Sequence, residues 1–302
     1  YISGSNASML STELKSALRG WPEEEETFPL SFREYCRFKN IDTCNLLEQN
    51  LAKIRNAFLD YNDEGGFPEV VLTQNPIRKT KTLQSYFDTM LLKDLAEHYD
   101  ISNIEVLRYF LKRIMSNLTK PTSIRGIHGD IKSRGLKISK DTLYDWADYA
   151  CNIFLFIRVS NYSRSLQKTE NSLPKYYCID NGMRDAVLLP QSNDNGKKLE
   201  NTVLLQLYRM LSPMDKIFYF SGNGECDFVV QRGIEISQLI QVSWNIDDEE
   251  TRIREINGLV EASDATGCNS LYIITADTYM ELSTPDGRNI HVVPAWRWLL
   301  NL

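Results

Sequence analysis

No Gly-Lys-Ser or Gly-Lys-Thr string occurs anywhere in the 302 residues. A phosphate-cradling loop needs that string after a glycine-rich turn, so that backbone N–H groups hold phosphates and a hydroxyl reaches magnesium. The nearest candidate, Gly196-Lys197-Lys198, lacks both the hydroxyl and a glycine five residues earlier. On its own, this chain is not expected to bind or hydrolyse ATP. Histidine is scarce as well: His98, His128 and His291 are far apart, which argues against a histidine-based metal cluster. None of the six cysteines belongs to a Cys-x-x-Cys pair, so structural zinc is not expected and free thiols of a reducing compartment are. No apolar run approaches the roughly 18 residues that cross a bilayer. No charged-then-apolar leader opens the chain. A cytoplasmic protein is the expectation.

What is present fits a globular protein: hydrophobic residues make up 42% and charged residues 25%. The length suggests two or three domains. The chain begins at Tyr1 with Tyr-Ile-Ser-Gly-Ser-Asn, which reads as a strand already under way, and the expectation is a C-terminal piece of a longer protein. Charge is unevenly spread. Residues 103–180 hold 13 lysines and arginines against 7 acids, a surplus of +6, so the rest of a chain with net charge −6 carries −12. A basic middle between acidic flanks suits an anionic partner, or else a solvated face.

In chain order, residues 1–8 read as strand and turn, and 8–18 as a helix stopped by Gly20 and Pro22. Ser31 is a plausible N-cap for a helix to Phe38. Helical periodicity covers 43–61 and 81–99, separated by a Gly65-Gly66-Phe67-Pro68 turn. The basic middle offers helices over 104–118, from Gly129 to a stop at Gly135, and from a Ser139 cap to Phe154. Two β-rich runs, 157–160 and 176–180, flank a polar loop as a hairpin would. Three helices and a hairpin are the order of a winged helix-turn-helix, whose third helix enters the major groove. Groove candidates are Ser139, Lys140, Thr142, Tyr144 and Asp145; hairpin candidates are Arg164, Lys168 and Lys175; Lys132, Arg134 and Lys137 would hold phosphates. Asp141, Asp145 and Asp148 on the same helix repel DNA, and such modules also dock proteins.

The C-terminal part reads as helix 199–211, strands 216–220, 226–231 and 237–242, helix 248–263, strands 271–275 and 290–293, and a terminal helix 294–300, a mixed α/β pattern. Glu200 sits on the first helix and Asp227 on the second strand, with Gln241 and Ser243 on the third. Acids at these places could hold a divalent metal through oxygen.

Ser3-Gly4-Ser5-Asn6, Leu18-x-Gly20, Phe28-Pro29-Leu30-Ser31-Phe32-Arg33-Glu34-Tyr35 and Gly65-Gly66-Phe67-Pro68 together resemble a family of prokaryotic AAA-type P-loop ATPases. The resemblance implies a truncated core over 1–30 with Ser5 and Asn6 as nucleotide sensors, a helical lid over 31–102, a winged helix-turn-helix over 103–183 and a restriction-endonuclease-like domain over 184–302. ATP and magnesium would belong to the longer parent. Trp21 stands where that family has an arginine, which leaves the trans-acting finger without its residue. Such nucleases use a helical Glu, a strand Asp and a Glu-x-Lys; here Glu200 and Asp227 match, while Gln241 and Ser243 replace the last acid and the lysine. The expected function is a DNA-associated AAA-type protein with an inactive nuclease-like domain, against a working metal-dependent nuclease or an oligomerisation module. Candidate partners are duplex or branched DNA and a second copy of the chain.

Overall fold

The computed structural model describes residues 26–45, 47–188 and 194–302. The expected elements over 1–18, with Ser5 and Asn6, lie outside those residues. The described chain is a mixed α/β protein.

Ser31 does cap the first helix, α1 (Phe32–Phe38): its hydroxyl accepts from Glu34 N–H while the Glu34 carboxylate accepts from Ser31 N–H. α2 (Glu48–Glu64) buries Ile54, Ala57, Phe58 and Tyr61 on one face. α3 (Pro68–Leu72) follows the Gly-Gly turn, and α4 (Pro76–Thr89) runs directly into a π-helical stretch, Met90–Glu97. The expected single helix over 81–99 therefore changes its winding. Leu83, Phe87, Leu91 and Leu95 are all buried and recur every four residues. An α-helix of 3.6 residues per turn rotates such a repeat steadily off its face. A wider i→i+5 turn rotates it back.

α5 (Ile104–Ser116), α6 (Ile124–Ser133) and α7 (Lys140–Asn152) follow. α6 starts earlier than its glycines suggested, because Ser123 caps it and Ile124, Ile127 and Ile131 bury a helical stripe. β1 (Phe156–Asn161) and β2 (Lys175–Cys178) pair antiparallel, with Ile157 opposite Tyr177 and Val159 opposite Lys175. A short helix, α8 (Leu166–Asn171), occupies the loop between them. α9 (Asn181–Val187) and α10 (Asn195–Arg209) lead to β3 (Lys216–Ser221), β4 (Glu225–Arg232) and β5 (Glu235–Val242). α11 (Glu249–Thr266), β6 (Leu271–Thr275), β7 (Met280–Ser283), β8 (Asn289–Pro294) and α12 (Ala295–Leu300) complete the chain. β7 escaped the sequence reading because it is a four-residue edge strand with alternate exposure.

The strands form one eight-stranded sheet among the described residues, in the order β2-β1-β3-β4-β5-β6-β8-β7. The hairpin is thus an edge of the C-terminal sheet: β1 runs parallel to β3 through Ser160–Phe218 and Asn161–Tyr219. Phe228, Val230, Ile240 and Ile274 share a core with α10, α12 and the N-terminal helices. Leu239, Leu271 and Ile273 share a second core with Leu259 and Ala262 of α11. The boundary expected at 183/184 falls inside α9. The terminal helix α12 is core: Trp296, Leu299 and Leu300 are buried, and the Arg33 guanidinium donates to the Leu300 carbonyl.

Candidate functional site

Lys175 opens β2, and its side chain is 1% exposed. It was expected on an exposed hairpin, in reach of DNA; instead it points into the protein, because side chains alternate along a strand and residues 175 and 177 share the inward face. Its ammonium donates to Glu200 Oε1 and Asp227 Oδ1, each at 3.2 Å, and lies 2.5 Å from Glu225 Oε1. The Tyr219 ring faces it at 5.2 Å. Three separate elements, β2, α10 and β4, meet at this one charge.

Local structure explains each position. Glu225 and Asp227 are two apart on β4, so they share a face. Asn201 donates to the Cys178 carbonyl at 2.9 Å and accepts Cys178 N–H at 2.8 Å, which holds α10 against β2 and turns the preceding Glu200 toward Lys175. Tyr177 O–H donates to Glu200 Oε1 at 2.7 Å. Glu200 lies beyond the first turn of α10 and is buried, so the helix dipole does not account for it.

The remaining polar atoms are also engaged. Val242 N–H donates to Asp227 Oδ2 at 2.9 Å, and Asp227 N–H donates to Gln241 Oε1 at 3.1 Å. The Gln241 amide donates onward to Glu255, which also accepts from Arg254 at 2.7 Å. Arg254 therefore serves Glu255 on its own helix. Ser243 O–H turns to the Asn245 carbonyl at 2.7 Å.

Burial pushes the Glu200 carboxyl up to about 8, with Asp227 adding to the rise and Lys175 opposing it. Burial also raises Asp227, against the pull of Lys175 and Val242 N–H. Burial alone would lower Lys175, but Glu200, Tyr177, Asp227 and Glu225 hold it well above its ordinary range. Lys175 is accordingly a fixed ammonium at neutral pH, unable to take a proton from water.

Glu200 and Asp227, expected to hold a metal, do converge, but around an ammonium. Magnesium takes oxygen ligands at about 2.0–2.1 Å in a near-octahedral shell. Here the space between the two carboxylates holds Lys175, and Asp227 Oδ2 and Gln241 Oε1 already accept backbone N–H groups. As arranged, the residues do not fit a divalent metal. Among the described residues, no group of three His, Cys, Asp or Glu is arranged to hold one.

The expected DNA contacts divide. Lys132, Arg134, Lys137, Lys140 and Lys168 are exposed. Arg134 stacks over the Tyr109 ring at 4.2 Å, and Arg164 donates to the Ala265 carbonyl at 3.0 Å. Arg113 and Arg158 are paired with Asp130 and Asp148, whereas Lys132, Lys137 and Lys140 have no ion-pair partner among the described residues. Ser139 and Thr142 are committed to the α7 cap.

Sequence reasoning missed Tyr177 and Glu255 and misplaced Lys175. The available signal was the lysine heading an otherwise uncharged, tyrosine-rich strand.

Among known proteins, a family described as Domain of unknown function (DUF8612) matches residues 55–194. That span holds Lys175 and Tyr177 but not the acids they meet. An uncharacterised protein of Methanocaldococcus jannaschii is 31% identical over 312 residues, covering 99% of this chain and 68% of the relative. An uncharacterised protein of Haemophilus influenzae is 28% identical over 301 residues, covering 99% of this chain and 70% of the relative. No solved structure matches.

Proposed function

The chain belongs to the family of the Methanocaldococcus jannaschii protein, and from that premise we propose that it is the DNA-associated C-terminal part of an AAA-type ATP-binding protein, whose nuclease-like sheet does not cleave phosphodiesters. ATP and magnesium are bound by the parent's nucleotide module, with Ser5 and Asn6 as its sensors, and the setting is the cytoplasm. The order of the segments at 3–6, 28–35 and 65–68 supports the parent. The order of helices α5, α6 and α7 supports the helix-turn-helix part of the winged module, with the β1–β2 hairpin built into the sheet edge, and Glu200 on a helix before Asp227 on a strand supports the restriction-endonuclease-like fold.

One observation carries the DNA reading. Lys132, Lys137 and Lys140 lie within nine residues from the end of α6 to the start of α7, exposed and unpaired among the described residues. Lysines so placed hold phosphates without reading sequence. The charge cluster supports the absence of cleavage: Lys175 is held in its ammonium form, and Ser243 O–H turns to the Asn245 carbonyl.

Fluorescence anisotropy with duplex and branched DNA across a salt series tests this. Replacing the three lysines by alanine is expected to weaken binding and to lower the slope of log affinity against log salt by about 2–3. Failure to bind either DNA at low salt sinks the reading. Magnesium- or manganese-dependent cleavage that is lost in Asp227→Ala would replace it with a working nuclease.

A further inference from the structure

Glu200, Glu225 and Asp227 come from two elements and converge on one point, and what occupies that point is the Lys175 ammonium, 1% exposed. Three carboxylates this close repel one another unless a cation sits between them. A buried cation in turn needs such partners. The lysine stem reaches the cluster from β2, whose hairpin joins β3 through only two residue pairs. Through Lys175 the cluster ties the hairpin to β4.

We infer that the Lys175 ammonium is a built-in cation standing in the place of a divalent metal among Glu200, Glu225 and Asp227, so that the native protein excludes such metals and removal of the lysine opens a divalent-cation site. The inference goes beyond the DNA-associated reading and stands without it, since it rests on the cluster alone. An ammonium and a metal ion cannot share this space, because both would need Glu200 Oε1 and Asp227 Oδ1. With the lysine gone, Glu200, Glu225 and Asp227, which around the ammonium are not arranged as metal ligands, are free to turn onto a hard cation that takes oxygen ligands and keeps some of its water.

Manganese binding, measured by calorimetry and by the electron-spin signal of free Mn²⁺, tests this on the whole chain. The native protein and Lys175→Arg are expected to show no stoichiometric binding at this site. Lys175→Ala should bind about one ion, at least tenfold more tightly than any native binding, and Lys175→Ala/Asp227→Asn should lose it. If Lys175→Ala does not fold alone, Mn²⁺ should restore its circular dichroism and thermal transition. Native binding of one Mn²⁺ that Asp227→Asn abolishes would overturn the inference. So would a folded Lys175→Ala with no gain in binding, or an unfolded one that Mn²⁺ does not rescue.

Discussion

Gly66 N–H donates to the Asp180 carboxylate at 2.7 Å, across 114 residues of sequence. The same carboxylate accepts Met183 N–H at 2.9 Å as the N-cap of α9, so one buried side chain joins the Gly-Gly turn after α2 to the segment that follows β2. Burial pushes Asp180 up to about 6, although the N–H groups of Gly66, Met183 and Gly182 pull it down.

This contact makes Gly65 intolerant of any side chain. Its φ is +79°, and a Cβ there would come within 2.1 Å of Asp180 Oδ2. Gly65→Ala is expected to lower stability by about 2–4 kcal/mol, read from urea unfolding. A loss below about 0.5 kcal/mol would show that the turn and Asp180 are not coupled in this way.

Gly258 tests packing against propensity. In the middle of a helix, Gly→Ala ordinarily stabilises by up to about 1 kcal/mol. Here α11 lies so close to β4 that a Cβ would sit 2.0 Å from the Glu225 carbonyl. Gly258→Ala is therefore expected to destabilise by about 2–4 kcal/mol, because the helix must lift off the sheet. Thermal unfolding settles the sign, and an increase in Tm would refute the close approach.

Glu200 should leave a mark on the pH dependence of stability. Its folded value of about 8 lies above the ordinary 4.5, so the folded state keeps a proton that the unfolded state has lost. Its contribution is present below pH 4.5 and is lost as pH rises to about 8. Asp180 acts with the same sign from 3.8 to about 6. Between pH 6 and 8 the decline should be on the order of 1–3 kcal/mol, and Glu200→Gln should flatten it and also lessen the decline between pH 4.5 and 6, where the share of Asp180 remains. Equal slopes in both proteins would place the proton elsewhere.

Gln241→Glu restores the acid of the nuclease motif on paper. In this fold it sets a carboxylate against Glu255, which now accepts from the Gln241 amide. The substitution should cost about 2–4 kcal/mol at neutral pH. Adding Glu255→Gln should recover most of that, because the pair can again share a proton donor. Denaturant midpoints of the single and double variants decide it: an undiminished loss in the double variant would mean that Glu255 is not the cause.

The sequence by itself determined the mixed α/β class, most helices and strands, the Ser31 and Ser139 caps, and the pairing in order of Glu200 with Asp227. Periodicity and capping are local, acting over three or four residues, and so can be read along the chain. It left open where the β1–β2 hairpin goes. Two strands with apolar and polar faces look alike whether they form a free wing or a sheet edge, and only the pairing of Ser160 and Asn161 with β3 decided between them. It also left open the charge state of the site. Gln241 and Ser243 announced a missing acid and a missing lysine, but the cation that meets Glu200 and Asp227 comes from Lys175, 25 and 52 residues away. No spacing rule reaches that far. Burial made the difference, because inside the protein a carboxylate and an ammonium are each costly alone and stable together.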